Sequence, residues 1–273
     1  MRSQSGEMLN SDDNPILVLD SGLGGLSVLR QIRKYAPGAA CVYYGDTAYA
    51  PYGSRTTADV RERVLNLCED LVDRICPRAL VVACNTATSA AIQELRAWFS
   101  KIPVIGTEPA LKPAIEYTST LQKGGRILVM ATPVTLREEK FRDLLERFGS
   151  TSDIELLPAP GLVEIIESCR DVQKRSEEYL RALRHEADRT YSAIVLGCTH
   201  FPIVKPAIRN VFGSDVRFFD GGDGVARRVI QLVPDLTGRQ SGARNRFLSS
   251  SPDAVGEFAE KCQTILDLLA RES

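Results

Sequence analysis

Cys84, in ALVVACNTATSAAI, and Cys198, in AIVLGCTHFPIVKPAI, are the residues of this chain best suited to chemistry. Each follows a short apolar run and a small residue, and each precedes a polar pair and a helix-forming stretch. A thiol so placed stands at the carboxyl end of a buried strand, where open α/β sheets bind their ligands. A thiolate is a base and a thiol an acid, so two of them facing one pocket could take a proton from one side of a carbon and deliver one to the other. A free cysteine has a pKa near 8.5, so only about 3% is thiolate at pH 7 and forming the base costs roughly 2 kcal/mol. Backbone amides at a following helix N-terminus lower that cost.

The elements that must position these thiols are duplicated. ILVLDS ends a strand at Asp20-Ser21 ahead of Cys84, and ILVMAT ends one at Ala131-Thr132 ahead of Cys198, at nearly the same distance along the chain. PVIGTE reaches Thr107 after Cys84, and VRFFDGG reaches Asp220 after Cys198, again at nearly the same distance. Three strand ends matching in order and spacing define an internal repeat of about 110 residues, hence two similar α/β units. Packed about a pseudo-twofold axis, they would bring Cys84 and Cys198 to one pocket from opposite sides. Strands are expected near 15–20, 40–45, 79–83, 103–106, 126–131, 154–158, 193–197 and 216–219. Helices are expected near 25–35, 56–75, 87–99, 135–148, 174–189, 203–211 and 222–232. This alternation predicts doubly wound, parallel sheets with helices on both faces. A last strand at RFLS and a helix starting at Ser251-Pro252-Asp253, with hydroxyl cap, first-turn proline and early acid, read as a returning segment. The expected domains are therefore 15–112 plus about 225–270, and 113–224, with the site between them.

With 273 residues, 44% of them hydrophobic, the chain can bury a core for about two domains. A net charge of −1 and a pI of about 6.2 leave no basic footprint for nucleic acid. The opening MRSQSGEMLNSDD is polar, neither signal peptide nor anchor, and residues 1–14 read as a disordered tail. No apolar run approaches membrane-spanning length, and the expected location is the cytoplasm. Seven cysteines, an odd number without Cys-x-x-Cys spacing, argue for free thiols and against a metal site. Cys41, Cys68 and Cys262 read as core, Cys76 as a helix end and Cys169 as incidental. The turn Gly22-Leu23-Gly24-Gly25 lacks the dinucleotide spacing, since Ser27 holds the sixth position and the Asp20 carboxylate would repel a pyrophosphate. It reads instead as a tight strand-to-helix turn able to hold a small carboxylate. In GDTAYAPYG, Asp46 lies near a strand end and Pro51-Tyr52-Gly53 forms a turn that exposes amides.

DSGLGGLSVL, YGDTAYAPYG, VACNTATS, EPALKPA and GCTHFP, in this order, resemble the motifs of the glutamate racemases, over about residues 15–270. Those cofactor-independent isomerases make D-glutamate for bacterial peptidoglycan, so the resemblance places this chain in cell-wall biogenesis and the upkeep of cell shape. It implies two pseudo-symmetric α/β domains around glutamate, no cofactor, and Cys84 and Cys198 as proton donor and acceptor. By motif it also implies substrate contacts from Asp20, Ser21, Tyr52, Gly53, Asn85, Thr86, Thr199 and His200, with Thr132 and Thr135 from MATPVT. Asp20 would assist Cys84, which faces D-glutamate; His200 would assist Cys198, which faces L-glutamate. Glu167 is carried over as a further catalytic residue. This chain departs from the pattern at Leu23, and at Glu164, where a proline usually precedes the helix bearing Glu167. Aspartate racemisation, with the same cysteine pair, and a secondary regulatory role such as gyrase inhibition are the competing functions. A homodimer is compatible with the sequence, which does not set the oligomeric state.

Overall fold

The computed structural model describes residues 14–122, 125–137, 139–148, 153–184, 190–236, 245–251 and 255–271. The tail expected to be disordered, up to residue 13, lies outside the described residues. So do 185–189, at the end of the helix expected over 174–189, and 252–254, at the expected start of the last helix.

The first unit runs β1 (Ile16–Asp20), α1 (Leu26–Tyr35), β2 (Cys41–Gly45), α2 (Thr57–Ile75), β3 (Ala79–Val82), α3 (Asn85–Trp98) and β4 (Val104–Gly106). The second runs α4 (Leu111–Ser119), β5 (Arg126–Ala131), α5 (Pro133–Arg137), α6 (Glu139–Phe148), β6 (Asp153–Pro158), α7 (Gly161–Glu167), α8 (Val172–Leu183), β7 (Ala193–Leu196), α9 (Lys205–Phe212) and β8 (Arg217–Asp220). The chain then returns through α10 (Gly222–Leu232), which packs on α1, and β9 (Asn245–Ser249) and α11 (Val255–Ala270) follow.

Two sheets result, ordered β4-β3-β1-β2-β9 and β6-β5-β7-β8. Matching β1 to β5, β2 to β6, β3 to β7 and β4 to β8 makes the two orders the same, and every pairing is parallel. The repeat read from the strand ends is therefore a repeat of topology. The central strands are nearly continuous apolar runs because helices cover both faces: β1, apolar up to its terminal Asp20, and β3 are buried at every position. Along β1, Ile16 and Val18 point to one core and Leu17 and Leu19 to another. Leu128 and Met130 of β5 and Ile194 and Leu196 of β7 share the core of Ile16 and Val18, so the two units are joined by continuous apolar packing.

Cys41, Cys68 and Cys262 are buried in these cores. Cys76 ends α2 in the left-handed region at φ 49°. The element expected over 135–148 is two helices, α5 and α6. Two other helices have no counterpart among those expected from the sequence. Pro113 masks α4, yet it lies in the first turn, where no intrahelical N–H is required. α7 has only 7 residues, too few to display a period. Among the described residues, no helix is long and apolar enough to cross a membrane.

Candidate active site

Cys84 caps α3, with extended backbone at φ −81° and ψ 126°. The strand β3 delivers it there, and Thr88 fixes the corner. The Thr88 hydroxyl donates to the Val82 carbonyl at 3.0 Å and accepts from the Thr107 amide at 3.1 Å. Helix α3 begins directly after the thiol, and the Ala87 amide of its first turn bonds the sulfur. Burial nevertheless pushes the Cys84 thiol up to about 12, and the nearby Asp20 charge adds to this; the Ala87 amide and the Ser21 side chain only partly offset it. The next residue crosses to the second unit: Asn85 Nδ2 donates to the Gly197 carbonyl at 2.8 Å.

Cys198 occupies the equivalent strand end but has a different neighbourhood. A 3-10 turn at Phe201–Val204 separates it from α9, so it lacks the α-helix N-terminus that Cys84 has. Its partner is His200, whose Nδ1 lies 3.6 Å from the sulfur. His200 Nε2 is 2.6 Å from Glu167 Oε1, and that same oxygen accepts from the Leu23 amide of the first unit at 2.7 Å. Burial by itself would lower the pKa of this imidazole. Its hydrogen bonds to Cys198 and Glu167 outweigh it and hold His200 well above its ordinary value.

The glycine turn makes this crossing possible. A Cβ on Gly22 would stand 2.1 Å from Glu167 Oε1, and one on Gly24 would stand 2.3 Å from His200 Nδ1 and 2.7 Å from Thr199 Oγ1. The turn therefore serves close approach between units, not a phosphate. Gly24→Ala is expected to lower activity roughly a hundredfold, by displacing His200, and to destabilise the chain by about 1–3 kcal/mol through overpacking. Unchanged kinetics and melting temperature in that variant would contradict the close approach.

Asp20 lies behind the site. It is fully buried, accepts from the Gly22 amide at 2.9 Å and from Thr199 Oγ1 at 3.2 Å, and does not line the cavity. Burial raises its pKa; the His200 charge and the Gly22 and Gly25 amides offset only part of that. Ser27, at the end of the glycine motif, points its hydroxyl at both the Gly24 and Thr199 carbonyls, each at 2.9 Å.

Between the thiols lies a cavity of about 70 Å³, walled by both units. Cys84, Ser21, Gly53, Asn85 and Thr86 come from the first; Cys198, Thr132, Thr135, Thr199 and His200 come from the second. Tyr52 lines it too, but its hydroxyl is turned away and donates to Asp46 Oδ2 at 2.7 Å, so the turn presents backbone there. Arg63 clamps the same carboxylate through Nε at 2.8 Å and Nη2 at 2.6 Å. Thr132 and Thr135 meet hydroxyl to hydroxyl at 3.0 Å. Glu167, like Asp20, is set back from the wall and reaches it through His200. Pro160, Val163, Glu164 and Gly197 also line the cavity, although the sequence gives no spacing signal for them as site residues. Among the described residues, no lysine or arginine lines it.

The family model for Asp/Glu/Hydantoin racemase matches residues 16–229. The chain is 47% identical to a glutamate racemase of Clostridium acetobutylicum over 225 residues, 82% of this chain and 84% of that one. Its structure resembles that of Escherichia coli glutamate racemase in complex with L-glutamate and an activator, UDP-MurNAc-ala. The TM-score is 0.78 at 31% identity, covering 94% of this chain and 95% of the other. It also resembles the Francisella tularensis glutamate racemase in complex with D-glutamate, with a TM-score of 0.73 at 25% identity and 94% of each chain covered.

Proposed function

The chain belongs to the Asp/Glu/Hydantoin racemase family, and we propose that it interconverts L- and D-glutamate, with Cys84 and Cys198 exchanging the roles of base and acid. The observation that carries this reading is that thiols from the matching ends of β3 and β7 line one cavity. Inverting an α-carbon needs a proton removed from one face and another supplied to the opposite face, and one base cannot easily serve both. Thiols contributed by two topologically equivalent units supply both faces.

The two thiols are poised differently. Cys84, whose thiol burial pushes up to about 12, keeps its proton and serves first as acid. Cys198 has the proton-holding His200 beside it, with Nδ1 3.6 Å from its sulfur, and is the thiol assigned to take the first α-proton. With Cys198 facing L-glutamate, this state is ready for L-to-D conversion: Cys198 takes the α-proton and Cys84 returns one on the other face, leaving the proton count unchanged. The reverse turnover starts from the exchanged state. As the carbanion forms, charge spreads into the α-carboxylate, where the first-turn amides of α3 and the hydroxyl of Thr86 bind it. Asn85 Oδ1, buried with no partner among the described residues, is the acceptor available to the substrate ammonium. Asp20 acts on Cys84 as a buried charge, and Glu167 acts on Cys198 by holding His200. The product serves peptidoglycan synthesis in the cytoplasm.

Both enantiomers of glutamate are expected to take up deuterium at the α-carbon in deuterated water during racemisation, without added pyridoxal phosphate, metal or nucleotide. Aspartate should turn over far more slowly. Loss of activity with a chelator or a carbonyl reagent would overturn the cofactor-free mechanism, and faster aspartate turnover would overturn the substrate.

A further inference from the structure

Glu164 is a carboxylate in the wall of the cavity that the reaction does not use. It sits in the first turn of α7, exposed at the rim, and its side chain makes no hydrogen bond or ion pair among the described residues. The two carboxylates nearest the thiols, Asp20 and Glu167, are held by amides and by His200. Glu164 is therefore an uncompensated negative charge facing a site whose lining, among the described residues, includes no lysine or arginine.

We propose that Glu164 is a specificity-determining residue that selects amino dicarboxylates against dicarboxylates lacking the amino group. This rests on the reading that the cavity binds glutamate. Glutamate carries net charge −1 because its ammonium cancels one carboxylate, whereas the deaminated dicarboxylates of the same length carry −2. Neutral hydrogen-bond donors in the wall cannot tell these apart by charge, since both ligands present two carboxylates. A fixed negative charge at the rim can: its repulsion scales with net ligand charge, and for a partly hydrated pair about one Debye length apart it weakens binding about threefold per unit charge. The same repulsion acts equally on both enantiomers, so it raises KM without altering the chemical step.

Direct binding of L-glutamate and of glutarate, measured by calorimetry at low ionic strength, tests this with Glu164→Gln and, as a second variant, Glu164→Ala. Both substitutions lie at an exposed position and leave the core untouched. Removing the charge is expected to tighten glutamate about threefold and glutarate about tenfold, with both gains largely lost at high salt. Equal tightening of the two ligands, no tightening at low salt, or weaker glutamate binding would each overturn the proposal, the last by showing that Glu164 accepts from the ammonium. Because the readout is binding, failure of the racemisation assay on the unsubstituted protein would count against the function and not against this role of Glu164.

Discussion

Serine in place of either Cys84 or Cys198 is expected to reduce racemisation by at least roughly a thousandfold, since a hydroxyl is a far weaker acid than a thiol and one member of an acid–base pair contributes about 10²–10⁴. The substitution is nearly isosteric, and each cysteine lines the cavity at the edge of a core cluster, so the melting temperature should move little. The two variants should still differ from each other. With Cys84 replaced, Cys198 keeps His200 and Glu167, and can still exchange the α-proton of L-glutamate on its own face. With Cys198 replaced, the remaining thiol is the one that burial pushes up to about 12, and slow exchange is expected only with D-glutamate. Optical rotation follows racemisation, and proton NMR in deuterated water follows exchange. Full racemisation by either variant would remove the two-base assignment altogether.

Replacing His200 by asparagine should slow turnover of L-glutamate roughly a hundredfold and of D-glutamate much less, because the cation beside Cys198 is lost only where Cys198 is the base. Asp20→Asn removes a charge that opposes the Cys84 thiolate, so it should spare turnover of D-glutamate, where Cys84 is the base, more than that of L-glutamate. The equilibrium constant between enantiomers is one, so kcat/KM must stay equal in the two directions, and the asymmetry has to appear as paired shifts of kcat and KM. The pH profile carries the same information. Activity needs one thiolate and one thiol, which gives a bell whose limits belong to the coupled pair. His200, whose pKa lies well above its ordinary value, is a fixed positive charge through neutral pH, and removing it should move the acid limb of the bell to higher pH. Equal kcat losses in both directions for both variants would show that these residues serve binding or folding, not a particular cysteine.

What can be read in the chain depends on how far apart the partners are. ALVVAC and AIVLGC announce buried strands ending in thiols because an apolar run, its length and its terminal residues lie within one short window. Their convergence follows from the doubled spacing. The arrangement around them is not visible, because its contacts join positions 144 residues apart for Leu23 and Glu167 and 179 apart for Asp20 and Thr199. Asp20 and Glu167 enter as catalytic residues only through the resemblance, which does not tell a residue in the cavity wall from one behind it. In sequence, both thiols lead into helices. At Cys198 the tighter turn, with Pro202 in it, leaves histidine to do what helix amides do at Cys84. Glu164 has no periodic signal and enters the motifs only as a departure from the proline usual there: it is one exposed acid on a short helix until the fold brings it to the cavity rim.

The strand β9 lies beside β2 with Cys41 opposite Asn245, a pairing that spans most of the chain, and α11 sets Phe258 against Tyr43, whose hydroxyl holds the Gly22 carbonyl at 2.7 Å. During synthesis the strands β1 to β4 emerge early, yet their sheet cannot be finished until β9 leaves the ribosome. The second unit, contiguous in sequence, can complete its own four strands before that. The first-made half is thus the last to close, with an open edge along β2 in the interval that invites wrong pairing. Long-range parallel pairing of this kind is slow. The glycine turn that brings the units together is then settled at the end of folding, so a chain that stops short of β9 would carry both thiols without a working site.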